Sequence, residues 1–181
     1  ALDFWISKDS VARNVISAFN GSGDGDGNGF KFGGDSSNIE GDTGKVINSI
    51  SFQDRAEAFS NNGGINSELR NVTAISGGTL NIWIGTSSSV IDSISANGSD
   101  YLQGAVTNLA QAVSLDKFIS LDPLSPNFAR PKTDSGLQNQ GAYAAGNEGA
   151  ISYTLPNNQW QQVGLPRALP SKERSEERRV G

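Results

Sequence analysis

The chain is 181 residues long, carries a formal charge of -5, and contains 22 glycines but no cysteine, histidine or methionine. The missing cysteine and histidine exclude disulfide frameworks, zinc-thiolate centres and Ser-His-Asp or Cys-His catalysis, leaving acid–base chemistry to Lys, Arg, Tyr and carboxylates. The acidic balance, with no basic stripe interleaved with aromatics, argues against a nucleic-acid partner, and no apolar run is long enough to span a bilayer.

In chain order, two short apolar motifs alternate through the first hundred residues. One is a ladder of Leu2-Asp3-Phe4-Trp5, Phe30-Lys31-Phe32, Phe59-Ser60-Asn61 and Leu80-Asn81-Ile82-Trp83. The other follows it in each turn of the pattern: Val11-Ala12-Arg13-Asn14-Val15, Val46-Ile47-Asn48-Ser49-Ile50, Leu69-Arg70-Asn71-Val72 and Val90-Ile91-Asp92-Ser93-Ile94. Their Asn or Asp positions, 14, 48, 71 and 92, are spaced by 34, 23 and 21 residues, as coils of a solenoid would be. Each motif reads as a short strand with alternating inward residues, bounded by Gly, Asn or Ser.

The predicted fold is therefore all-β, a parallel β-helix in which Asn14, Asn48 and Asn71 stack as an amide ladder. An antiparallel sandwich is the alternative. Leu102 to Leu115 also admits a helical reading.

From Leu121 the prolines 123, 126 and 131 break strand continuity, and the segment to Tyr143 is expected to close the end of the stack. The expected division is a β-helix domain over 1–143, a Gly/Ala/Asn linker over 144–149 and the start of a second module over 150–173. The final string, 174–181, resembles a translated sequencing-adapter read and is set aside as a non-native tail. The chain starts at Ala1 without methionine, so it is expected to be a piece of a longer, secreted or periplasmic protein whose signal peptide lies upstream.

Aligning the first ladder places Asp3, Lys31, Ser60 and Asn81 at equivalent positions on successive coils, separated by 28, 29 and 21 residues. A carboxylate and an amine on neighbouring strands then face the same way. The phrase Gly29-Phe30-Lys31-Phe32-Gly33-Gly34 resembles the Gly-Phe-Lys-Leu-Gly-Gly phrase of the pectate lyases of polysaccharide lyase family nine, and Leu2-Asp3-Phe4-Trp5 looks like the tail of their calcium-binding phrase one coil earlier. The resemblance covers about 1–98. It implies a right-handed parallel β-helix, here truncated at its N-terminus, with Lys31 as catalytic base and Asp3 as one ligand of Ca2+. It also implies an acidic polysaccharide, polygalacturonate, as partner of a monomeric enzyme. The family's paired aspartates would lie upstream of Ala1, so this stretch of chain alone is expected to lack most of the metal site.

The chemistry ties these residue types together. A hard calcium ion shared by protein carboxylates and the substrate's uronate acidifies the C5 proton, and a lysine can remove that proton only when neutral. Arg55 and Arg70 are candidate clamps for sugar carboxylates, with solvated surface residues as the bland alternative. For Lys31 the bland reading is a surface lysine protecting a strand.

A second motif overlaps the first. Asp24-x-Asp26-x-Asn28-Gly29, followed by Asp35, follows an EF-hand calcium loop with Asp for the final Glu, but strand-like flanks replace the paired helices. Asp24 and Asp26 remain metal-ligand candidates, against the alternative of a solvated Gly/Asp turn. Two other functions stay open: a non-catalytic carbohydrate-binding or adhesin module, and a lyase for another uronic-acid polymer. A hydrolase would need two carboxylates flanking the cleaved bond, and no such pair stacks beside Lys31.

Overall fold

The computed structural model describes residues 2–4, 8–21, 25–33, 43–62 and 64–144. Its strands, in chain order, are β1 (Leu2–Phe4), β2 (Ser10–Arg13), β3 (Ile16–Ala18), β4 (Phe30–Phe32), β5 (Gly44–Ile47), β6 (Ile50–Phe52) and β7 (Phe59–Ser60). They continue as β8 (Glu68–Arg70), β9 (Thr73–Ile75), β10 (Ile82–Ile84), β11 (Ser89–Ala96), β12 (Asp100–Leu102) and β13 (Ala105–Val113). Among the described residues the one helical element is a single 3-10 turn, Leu115–Lys117. The possible helix over Leu102 to Leu115 is instead β12 and β13, because residues 105–113 pair in parallel with β11 and extended backbone satisfies their hydrogen bonds.

All pairings between these strands are parallel. The first sheet stacks β1-β4-β7-β10-β12. The second contains two columns, β2-β5-β8 and β3-β6-β9, which merge in the long strand β11. The chain thus visits the first sheet, then each column of the second, and returns to pair beside its starting strand, an arrangement compatible with a parallel β-helix.

Sequence alternation explains which side chains point inward. In the first sheet Phe4, Phe30, Phe32, Phe59, Ile82 and Ile84 are buried, and they meet Ala12, Val46, Leu69 and Val90 of the second in one core. Equivalent rings stack from coil to coil: Phe4 on Phe32 at 5.2 Å and Phe30 on Phe59 at 4.9 Å, nearly coplanar in both cases. Offset stacking of this kind adds to the burial of each ring.

The corner between the two columns of the second sheet is the most regular feature. Asn14, Asn48, Asn71 and Asp92 all adopt left-handed backbone, with φ of 57°, 50°, 52° and 48°. Asn and Asp tolerate this region better than other non-glycine residues. Their amides continue the ladder, Asn14 N donating to Ile47 O, Asn48 N to Arg70 O and Asn71 N to Ile91 O at 3.0–3.1 Å. The positions expected to align from the spacing therefore do form a column, joined here through backbone N–H groups. The next position serves it too: Ser49 Oγ accepts from Val15 N and Ser93 Oγ from Val72 N, each at 3.2 Å.

This corner is two residues long at every coil, whereas the other connections differ in length from coil to coil. Those leading back to the first sheet occupy positions 19–29, 53–58, 76–81 and 97–99 in turn.

Residues after β13 do not close the end of the stack as expected. Phe118, Phe128, Ala129, Leu137 and Ala142 form a second core against Ile50, Phe52, Ile75, Ile94 and Ala96, which are the outward side chains of β6, β9 and β11. Phe128 meets Phe52 edge to face at 5.0 Å, and Ala142 N donates to Thr73 Oγ1 at 3.0 Å. The reason is visible in the strands themselves: this column turns small residues, Ser17, Ser51, Ala74 and Ser95, inward and its larger apolar side chains outward, so its outer side needs a cover. The expected linker beyond Ala144, the second module and the tail lie outside the described residues.

Candidate functional site

Lys31 lies between two fully inward phenylalanines, Phe30 and Phe32, so strand alternation turns its side chain to the outer face of the first sheet. Asp3, exposed on β1, is its direct partner in the parallel register. The two Cα atoms are thus one strand spacing apart, about 4.8 Å. The juxtaposition expected from the 28-residue spacing is present.

The column continues differently from the sequence alignment. Ser60 follows Lys31, but its next neighbour is Trp83, and Tyr101 follows Trp83. Asn81 sits two residues earlier, fully buried, where its amide donates to Ala96 O at 2.8 Å and Ser95 Oγ at 3.1 Å and accepts from Gly77 N at 2.7 Å. Matching Leu80 with Phe59 shifted that rung by two residues. Side-chain parity is unchanged by such a slip, so the pattern alone did not reveal it.

Lys31 Nζ forms an ion pair with Asp26 Oδ2 at 2.8 Å. The Lys31 side chain is 14% exposed and that of Asp26 71%. This hydrogen bond and the lysine's charge hold the Asp26 carboxyl below the usual aspartate range, with a smaller contribution from Arg55.

The connection that carries Asp26 is fixed from below. Ala56 N donates to Gly27 O and Gly29 N to Glu57 O, while Asn28 Oδ1 accepts from Glu57 N at 3.1 Å. Arg55 lies along the same connection, its guanidinium donating to Gly25 O. A Cβ at Gly21 or Gly27, both with positive φ, would come within 2.8 Å of Arg55 Cβ, so the glycines admit this close approach.

Beneath lies a carboxylate that the sequence reading did not single out. Asp54 is buried, accepting at Oδ1 from Asn20 N at 2.9 Å and Asn20 Nδ2 at 2.6 Å, and at Oδ2 from Ser51 Oγ. Burial pushes its carboxyl up, partly offset by the bonds from Ser51 and Asn20. Its place in Gln53-Asp54-Arg55, just past a strand, resembles any turn carboxylate. Only the partner at Asn20, one coil away, distinguishes it.

Asp3, Asp26, Asn28 and Lys31 line a shallow pocket of about 220 Å³. Arg55 braces its wall from behind. Arg70 stands in the second sheet, with Nε on Glu68 Oε1 at 3.0 Å, and does not line the pocket. Asp24 lies outside the described residues, as does Asp35, so the EF-hand pattern is represented here by Asp26 and Asn28 alone. Strand β3 precedes that pattern and strand β4 falls within its twelve residues, where an EF-hand has loop.

Calcium calls for six to eight oxygen donors. Asp3 and Asp26 are donors of the right type on the pocket wall, whereas the Asn28 oxygen is already used by Glu57 N. Among the described residues no three carboxylates converge. Two carboxylates supply fewer oxygens than that and do not form a closed cage. No protein-family model, curated protein or solved structure matches the chain.

Proposed function

We propose that this chain forms a right-handed parallel β-helix bearing a pectate-lyase-like site, which cleaves polygalacturonate by calcium-assisted β-elimination with Lys31 as the base. The observation that carries the reading is the direct register of Asp3 with Lys31 on the outer face of the first sheet, within the phrase Gly29-Phe30-Lys31-Phe32-Gly33. The resemblance to family nine lyases supplies the reaction; the pocket supplies a carboxylate-bearing wall beside the amine.

In this mechanism Lys31 takes the C5 proton of a bound uronate, the C4–O bond breaks, a C4=C5 double bond forms and the leaving oxygen acquires a proton. Calcium, when bound, neutralises the uronate and acidifies C5. Asp3 and Asp26 would offer oxygens to the ion, and the 2.8 Å ion pair between Asp26 and Lys31 has to open before the lysine can act as a neutral base. The backbone bonds from Ala56 and Glu57 keep that wall in place. A polymeric substrate of this kind lies outside the cell, which fits a secreted, monomeric protein.

The test is formation of unsaturated product from polygalacturonate, read by its ultraviolet absorbance, with and without chelator. Lys31→Ala should lower turnover by about 10²–10⁴-fold, the usual contribution of a positioned base, with an unchanged circular dichroism spectrum. Turnover that persists in Lys31→Ala, or is indifferent to chelation, overturns the mechanism. A second reading, a non-catalytic glycan-binding module, draws on the ion pair itself: a lysine held by Asp26 is a cation suited to gripping a uronate. Glycan binding without any product would favour it.

A further inference from the structure

We propose that the outer face of the first sheet beyond Lys31, built by Ser60, Trp83 and Tyr101, is a stacking track that holds the same glycan by its sugar faces. The identity of the glycan as a uronan rests on the function proposed above; the track itself rests on strand register. Lys31, Ser60, Trp83 and Tyr101 are successive partners across β4, β7, β10 and β12. All four share one face, because their neighbours Phe30, Phe59, Ile82 and Ile84 are inward and buried.

At one strand spacing per rung, Trp83 stands about 10 Å and Tyr101 about 14 Å from Lys31 along a line crossing the strands. Ser60, small and almost fully buried, spaces the lysine from the indole and offers little contact of its own. Trp83 is half-buried and Tyr101 is 49% exposed, with its hydroxyl accepting from Gln103 Nε2 at 2.8 Å. A half-exposed aromatic costs hydrophobic free energy unless something covers it, and a flat ring with a polar edge suits a ligand with one apolar face and polar rims. A pyranose has that shape. None of the three track residues is charged, so recognition at these rungs comes from ring contact, whereas ion pairing is confined to the Lys31 pocket.

The experiment uses the full chain with Lys31→Ala, which permits binding without cleavage, and titrates it calorimetrically with hexagalacturonate. Adding Trp83→Ala should weaken binding at least tenfold and Tyr101→Ala severalfold, with Trp83→Phe retaining most of the affinity. The ratio between parent and Trp83→Ala should hold as salt is raised, since stacking is unscreened. Melting curves identify any variant that has merely lost its fold, and Trp83→Phe then carries the comparison with Tyr101→Ala. Unchanged affinity in folded variants, or no hexagalacturonate binding by the parent, overturns the track. Product formation by the unmodified chain is scored separately: binding lost on Trp83→Ala without product leaves the track and removes the lyase, and product with unaltered binding does the reverse.

Discussion

Asp54 and Asp26 are pushed in opposite directions, and each sets a different pH response. Burial raises the Asp54 carboxyl, so the folded state holds its proton more tightly than the unfolded chain does. The contribution of this group to stability is full below the ordinary aspartate range and is lost as pH rises through the raised value. Asp54→Asn should remove that slope in denaturant titrations while preserving the network, since the amide oxygen can accept from Asn20 and its NH2 can donate to Ser51 Oγ. Asp54→Ala removes the acceptor of Asn20 N and leaves Ser51 Oγ with Ala58 O alone, and should cost about 1–3 kcal/mol. At Asp26 the shift is downward, so its contribution is present above the ordinary range and disappears as pH falls through the lowered value. That carboxyl is solvent-exposed, and Asp26→Asn should leave the melting temperature nearly unchanged while altering the calcium dependence of turnover.

Among the elements, the left-handed corner is where sequence and conformation constrain each other most tightly. Asn71→Gly should be tolerated, because glycine reaches positive φ freely, whereas Asn71→Val should destabilise by about 1–2 kcal/mol or more. Thermal melts of the two variants make the comparison. Phe59→Ala, which removes a ring stacked on Phe30 in a filled core, should cost about 3–5 kcal/mol. The same contrasts explain what could be read in advance. The column of Asn14, Asn48, Asn71 and Asp92 was legible because Asn or Asp, which adopt left-handed backbone more readily than other non-glycine residues, recurs at each rung. Asp3 and Lys31 were legible because Phe flanks both strands of that pair. Trp83 was misplaced because Leu80 and Ile82 are equally good apolar anchors. Neither Asp54 nor the bracing role of Arg55 was visible, since each depends on a partner a full coil away that no local pattern marks.

At the scale of the whole molecule, the covering segment 115–144 makes the β3-β6-β9 column an interior surface on both sides. Phe128→Ala should lower the unfolding midpoint and raise binding of a hydrophobic dye, because Phe52, Ile75 and Ile94 lose their cover. If dye binding stays at the parent level, the segment does not act as a lid on that core. The unequal connections carry a further consequence. The bend marked by Asn14, Asn48 and Asn71 has no slack: one inserted residue there would turn a strand's side chains inside out. Divergence in length is therefore channelled to the remaining two seams, and Asp26 belongs to the longest of the connections leading back to the first sheet. The frame and the pocket wall are separable, so under the proposed function that stretch can be reshaped for a different polymer while the staircase beneath it stays as it is.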